Sequence, residues 1–376
     1  KAQLPAWRLS FFPSINSASD IAVGTFSLSA GAFFSYIVLQ WWASWYPGNE
    51  PGGGGYISQR MMSAKDERQA VYSSLFFQIA HYCLRPWPWI IVGLAALILY
   101  PDLPIEESRK GFILAMRDHL PVGLKGLLFV GFISAYMSTI STQLNWGSSY
   151  LTNDLYQRFI KPNDSFSTQA KANKHYVFAG RMITIGIMIV AMYATSQITM
   201  IDEAAQFLIA SGAGLGMVLI LRWYWWRINA WSELSATIAP FIGLAISKYV
   251  LPNYLPESFF VNNGDFMFTV IFTSIVWLLV TFSTAPTDSK VLHAFYQRIK
   301  PGGAWGPFKE EGEKVQALSP LFFSWIFGVI MVYSILFGSG KLIFQEWTAS
   351  IIWSTSALIA GFLMIRFMRK SKFFKD

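Results

Sequence analysis

The sequence holds a single cysteine, Cys83, among its 376 residues. One thiol cannot build a disulfide framework, so the fold has to be held by packing and hydrogen bonds. Histidine is almost as scarce, and the four present, at 81, 119, 175 and 293, have no metal-ligand spacing. Charge is sparse too, at 13% of residues against 53% hydrophobic. Nor does the sequence carry a nucleophile with a base and an orienting partner, or a glycine loop fit to cradle phosphate. A bis-histidine haem would need a second histidine deep in an apolar run, and only His81 lies in one. The sequence therefore reads as no enzyme, with no cofactor and no transition metal.

What the sequence does have is long apolar runs. They extend over about 20 residues, the length a helix needs to cross a hydrocarbon core of roughly 30 Å. Barrel strands would alternate apolar and polar residues over about 10 positions, and these runs do not. The expectation is an all-α polytopic membrane protein. Nine spans are predicted, at 26–46, 70–99, 122–151, 176–196, 204–225, 231–250, 266–284, 320–338 and 347–367. Proline and glycine clusters separate several of them, notably WYPGNEPGGGG, YPDLP and IKPGGAWGP.

The formal net charge of +8 could suggest nucleic acid, but its distribution favours orientation in a membrane. If the loop after the first span is cytoplasmic, that side collects Arg60, Lys65 and Arg68, then Arg158, Lys161, Lys171 and Lys174, then the basic tail from Arg366 to Lys375. The opposite side holds far fewer, among them Arg8, Arg109, Lys110 and Lys248. A cytoplasmic C-terminus follows, and no nucleic-acid partner is expected. The first residue is Lys1, and residues 1–25 read as an extracytoplasmic segment that continues something upstream. An N-terminal part of several spans is expected before it.

The stretch SAYMSTISTQLN at 134–145 places many hydroxyls inside an apolar run. Spacings of three and four residues put Ala135, Ser138 and Thr139 on one face of a helix, about midway along the span. Two hydroxyl oxygens and a loosened carbonyl make neutral ligands suited to a small monovalent cation, whereas a divalent ion normally calls for carboxylates. Serine and threonine in membranes also bond back to the preceding turn and join helices. Spacing alone leaves both readings open.

The longer stretch SAYMSTISTQLNWGSSYLTNDLYQRFI resembles the signature helix of the sodium:solute symporter family. Its A-x-x-S-T core is followed by a turn rich in small residues and by Asp154 and Tyr156. GYISQRMMSAKDERQA at 55–70 is similar to the family's loop after its substrate-binding broken helix, with Tyr56, Gln59, Arg60, Ala64 and Lys65 in place. The resemblance implies a LeuT-like fold of two five-helix inverted repeats, with solute and sodium held near the midplane. This chain would hold the second repeat, core helices six to ten plus one more, over 26–250, and peripheral C-terminal helices over 251–376. The first repeat, the expected partner half of the same transporter, would lie outside it.

The implied function is sodium-coupled import of a small organic solute by alternating access, in a bacterial inner membrane. The alternative is a transport-inactive sensor or partner subunit on the same scaffold. Sodium would be the coupling ion, bound by Ala135, Ser138 and Thr139. Substrate contacts are expected from Gln40, Trp41, Trp45 and Tyr46, just before the glycine run, and from Gln206. Trp and Tyr also mark membrane interfaces, and the LRWYWWRINAW run at 221–231 reads as an interfacial anchor. The SGAGLG run after Gln206 would let backbones approach closely or the helix bend, and reads equally as packing or gating. Pro86 and Pro88 are expected to break the second span, and Arg85, just before them and beside His81, needs protein, water or a partner group.

Overall fold

The computed structural model describes residues 4–16, 27–44, 61–104, 107–198, 201–310 and 318–370. Helix dominates, as hydrocarbon requires of a backbone that has to satisfy its own polar groups. In chain order the helices are α1 (Ala30–Phe34), α2 (Glu67–Phe77), α3 (Pro86–Leu99), α4 (Lys110–His119), α5 (Val122–Ser149), α6 (Gln169–Gln197), α7 (Ile201–Ser211), α8 (Leu215–Tyr224), α9 (Ala230–Tyr249), α10 (Gly264–Ser283), α11 (Ser289–Ile299), α12 (Leu318–Ile343) and α13 (Trp347–Met368). The one sheet among the described residues is a parallel pair, β1 (Ser14–Asn16) with β2 (Ser27–Ser29). Eight described helical segments are long and apolar enough to cross a bilayer, and they match the second to ninth predicted spans. Together these make an all-α polytopic membrane protein.

The first predicted span, 26–46, is described as helix only over 30–43, entered through β2 at Ser27–Ser29. It changes register part-way: α1 passes into a π-helical stretch, Ser35–Gln40, and a final turn, Trp41–Ala43. Two helices outside the predicted spans, α4 and α11, are short and amphipathic and carry basic residues in their last turns.

The chain divides into two compact units, residues 1–98 with 207–376, and residues 99–206. In the larger unit, α9 and α10 pack along a stripe of small residues. Ser232, Ala236, Ala239, Gly243 and Ser247 are buried on α9, facing buried Thr269, Thr273 and Thr281 on α10. The Thr281 hydroxyl donates to Ser232 Oγ at 2.6 Å. Small side chains let the backbones approach closely where lipid provides no hydrophobic drive to hold helices together. The same logic joins α12 to α13, where the Ser350 hydroxyl donates to the Gly338 carbonyl at 3.1 Å and Ser334 meets Ser356 at 3.1 Å.

Proline produces a different result from the one its positions predict. The chain does not break at Pro86 and Pro88. From α2 it widens into a π-helical stretch, Gln78–Leu84, and continues directly into α3. Arg85 N donates to the Ala80 carbonyl at 3.1 Å, five residues back. The wider turn makes room for the proline ring and removes the need for the N–H that Pro86 lacks. Arg85 Nη1 lies 2.8 Å from His81 Nδ1, and its guanidinium covers the Trp89 ring at 4.9 Å.

The aromatic run at 221–231 also does more than anchor an interface. Trp226 packs with Phe308 against the buried core of Leu292, Tyr296 and Trp305, and Trp305 Nε1 donates to the Trp223 carbonyl at 3.0 Å. The amphipathic α11 closes over these rings.

In the smaller unit, α5 runs on through a π-helical stretch, Tyr150–Ile160, and packs on α6. Ahead of it, Tyr100 donates to Asp118 Oδ2 at 2.9 Å, and Arg117 Nε meets Asp118 Oδ1 at 2.6 Å. The Arg117 hydrogen bond, then that of Tyr100, holds the Asp118 carboxyl below its ordinary 3.8, at about 2. A depressed carboxylate supports the fold above its ordinary value and loses that support as pH falls through the lowered one. The protection of amides at 107–119, measured against their intrinsic exchange rate at each pH, should therefore stay constant from neutral pH down to about 4 and fall as pH falls towards about 2. Asp118→Asn should remove that dependence.

Gly216 sets a sharper constraint. A Cβ there would fall 1.8 Å from the Trp42 carbonyl oxygen, whereas one on Gly93 would meet nothing within 4 Å. Gly216→Ala should destabilise the protein by about 1 to 3 kcal/mol through overpacking, read as a lower thermal midpoint in detergent. Gly93→Ala should be neutral or mildly stabilising.

Candidate functional site

Two places in the chain hold polar groups within spans, one in each unit, and the second also interrupts its helices. The first is the middle of α5. Ala135, Ser138 and Thr139 lie on one exposed face of that helix. The Thr139 hydroxyl donates to the Ala135 carbonyl at 3.0 Å, and Thr142 donates to the Ser138 carbonyl at 2.8 Å. This is the back-bonding that serine and threonine adopt in apolar helices. It uses the hydroxyl proton and leaves the oxygen lone pairs of Thr139 facing outward, the arrangement an oxygen ligand needs. The Ala135 carbonyl meanwhile accepts from its own helix. A Cβ on Gly123, Gly126 or Gly131 would meet nothing within 4 Å, so the preceding turns are open as well.

The opposite side of α5 does packing work. Ser148 is buried and donates to the Gly180 carbonyl of α6 at 2.8 Å. Further on, Tyr156 meets His175 Nε2 at 3.0 Å, and Tyr176 donates to the Lys161 carbonyl at 2.7 Å. These bonds fix the π-helical end of the span, so Tyr156, read as part of the family signature, has a structural partner.

The second place is where the first helical segment meets the break between α7 and α8. Gly214 takes φ +94, a left-handed conformation that glycine adopts without the Cβ penalty. Its N–H donates to the Ala43 carbonyl at 3.0 Å, and the Ser44 hydroxyl donates to the Ile209 carbonyl at 2.7 Å. A Cβ on Gly214 would sit 2.7 Å from Thr273 Cγ2, so the turn is pressed onto α10. The SGAGLG run is thus a true helix break. Ala43, Ala213, Phe266 and Val270 are buried around it.

Gln40 is half-buried in the last π-helical turn, and Trp41 is exposed with its ring 5.0 Å from that of Trp325 on α12. Gln206 is exposed on α7. Trp45 and Tyr46 lie outside the described residues, as does Tyr56 with the loop to Arg60. Gln40 and Trp41 belong to the larger unit, whereas Gln206 and the Ala135, Ser138 and Thr139 face belong to the smaller. Sequence reasoning missed the contact of Gly214 and Gly216 with the 42–44 turn. The only available signal was the glycine spacing, which does not name a partner.

Comparison with known proteins supplies the family. Residues 16–239 match the sodium:solute symporter family. The chain belongs to that family. Relatives within the family include the sodium/glucose cotransporter of Vibrio parahaemolyticus, 22% identical over 63% of this chain and 44% of that protein. The high-affinity proline transporter PutP of Bacillus subtilis (strain 168) is 30% identical over 40% of this chain and 31% of that protein. The sodium/proline symporter of Escherichia coli (strain K12) is 23% identical over 64% of this chain and 47% of that protein. The chain thus spans less than half the length of these relatives. No solved structure matches it. The relatives are named as transporters, and the chain, like them, is an integral membrane protein of a symporter family.

The two sides of α5 predict separable effects. Ser148→Ala removes one buried hydrogen bond and should cost about 1 kcal/mol of stability, seen as a lower thermal midpoint. Any sodium dependence of the whole protein should be unchanged by it.

Proposed function

We propose that this chain is part of a sodium-coupled symporter that imports a small organic solute by alternating access. The observation carrying this reading is the family match together with the open α5 face, where the Thr139 hydroxyl has donated its proton inward. Sodium would be bound by Thr139 Oγ1, Ser138 Oγ and the Ala135 carbonyl, with the remaining ligands supplied by the other half of the transporter core. Neutral oxygens compensate one charge without trapping it, as a site that must release its ion requires.

The core would follow the inverted-repeat plan, with the predicted spans from 26–46 to 204–225 as core helices six to ten. Support comes from the interrupted helices. The π-helical entry at 35–40 and the break at Gly214 are where such a fold exposes backbone groups to a ligand. Gln40, Trp41, Trp45, Tyr46 and Gln206 are the proposed solute contacts. The membrane would be the bacterial inner membrane, with the C-terminus in the cytoplasm and the ion drawn inward at about 2.3 kcal/mol per charge per 100 mV. Coupling follows if ion and solute stabilise the same arrangement of broken helices, since each then raises the other's affinity.

The test is uptake by the whole protein in sealed vesicles at varied sodium. Thr139→Ala should raise the sodium concentration for half-maximal uptake roughly tenfold or more, because one ligand to a charged partner is lost. Its abundance in the membrane should hold. Unaltered sodium dependence in Thr139→Ala would remove the ion site, and uptake indifferent to sodium would remove the symport reading.

A further inference from the structure

At the end of α9 remote from Arg222 and Arg227 lies a pocket of about 450 Å³ that the transport reading does not use. Its wall includes Lys248 in the last turn of α9 and Asp265 in the first turn of α10. Around these two charges stand Phe207, Phe241, Tyr249 and Phe260. Asp265 Oδ1 is buried and has no hydrogen-bond partner among the described residues, and no ion pair joins Asp265 to Lys248 there. Lys248 Nζ lies 5.8 Å from the centre of the Tyr249 ring. Phe207 and Phe241 meet at 6.3 Å.

Each charge by itself complements a helix end, the acid at an N-terminus and the base at a C-terminus. That account leaves two observations unexplained. A buried carboxylate oxygen without a donor is costly, and dipole complementarity does not satisfy it. A ring of aromatic side chains next to an acid is the chemistry that holds organic ammonium groups, through the negative faces of the rings. The lysine on the same wall adds a position for an anion.

We propose that this pocket binds a small zwitterion, its ammonium group against Asp265 and the aromatic faces and its anionic group at Lys248. The site lies within the larger unit and is independent of the α5 face, so it stands whether or not the sodium site is correct. Carboxylate zwitterions in solution and the headgroup of phosphatidylethanolamine share this chemistry, and the experiment separates them.

The whole protein is placed in nanodiscs of phosphatidylglycerol alone and titrated calorimetrically with glycine betaine, tetramethylammonium and acetate. Betaine should bind more tightly than either single-charge probe. Asp265→Asn and Lys248→Gln should each weaken it about tenfold or more, the loss expected for one charged contact. Phe241→Leu, which leaves both charges in place, should weaken it as well. Gly93→Ala, outside the pocket and with open space at its Cβ, should bind betaine as the parent protein does. If betaine does not bind but native mass spectrometry shows phosphatidylethanolamine retained from mixed discs and lost in Asp265→Asn, the zwitterion is the lipid headgroup and the site stands. The proposal is overturned if tetramethylammonium binds as tightly as betaine. It is equally overturned if monodisperse Asp265→Asn and Lys248→Gln match the parent, or if neither betaine nor phosphatidylethanolamine is held.

Discussion

Hydrocarbon supplies no hydrogen bonds, so a span satisfies its backbone and most of its hydroxyl groups inside the protein, with Thr152 and Thr273 as exceptions. In this chain that constraint explains most of the local geometry. Thr139, Thr142, Thr184, Thr269, Ser274 and Ser283 all donate to the carbonyl four residues back. The hydroxyls thereby cease to demand an external acceptor, and they can lie on packed faces or open ones. On α9 and α10 they become part of a close-packed seam. On α5 they leave lone pairs outward along a face that nothing in the smaller unit covers.

The same constraint decides where helices can be interrupted. A break exposes donors and acceptors, so it survives only where another segment supplies partners. At Gly214 the partner is the Ala43 carbonyl, and Ser44 satisfies the Ile209 carbonyl in return. The two interruptions stabilise each other, and Gly216 lets the backbones meet at a distance no other residue would permit. At Pro86 the solution is a π-helical turn, which keeps the span continuous. Interrupted helices joined in this way satisfy the backbone groups that each break exposes.

Much of the fold was legible in advance because its signals are local. Apolar run length gave eight spans their places, since length against bilayer thickness is a property of the segment alone. The A-x-x-S-T spacing marked one helix face for the same reason. Other features were not legible. Pro86 and Pro88 read as a break because proline statistics describe α-helices, and the wider turn that absorbs them depends on its surroundings. The aromatics at 223–226 read as an interface anchor because their type fits one, but α11 and Trp305 cover them from far along the chain. Lys248 counted only among the loop charges and Asp265 carried no local signal, and folding alone brought them to one wall.

The sequence by itself determined the solvent, the helical class and the run of spans from residue 67 onward, together with the family through its hydroxylated signature helix. These follow from composition and short-range periodicity, which each segment carries whatever its neighbours do. Tertiary structure alone decided which glycine meets which carbonyl, which aromatics are covered, and which carboxylate oxygen is buried without a donor. Such facts arise from close approach between segments far apart in the chain, and close approach is governed by packing that no single segment encodes.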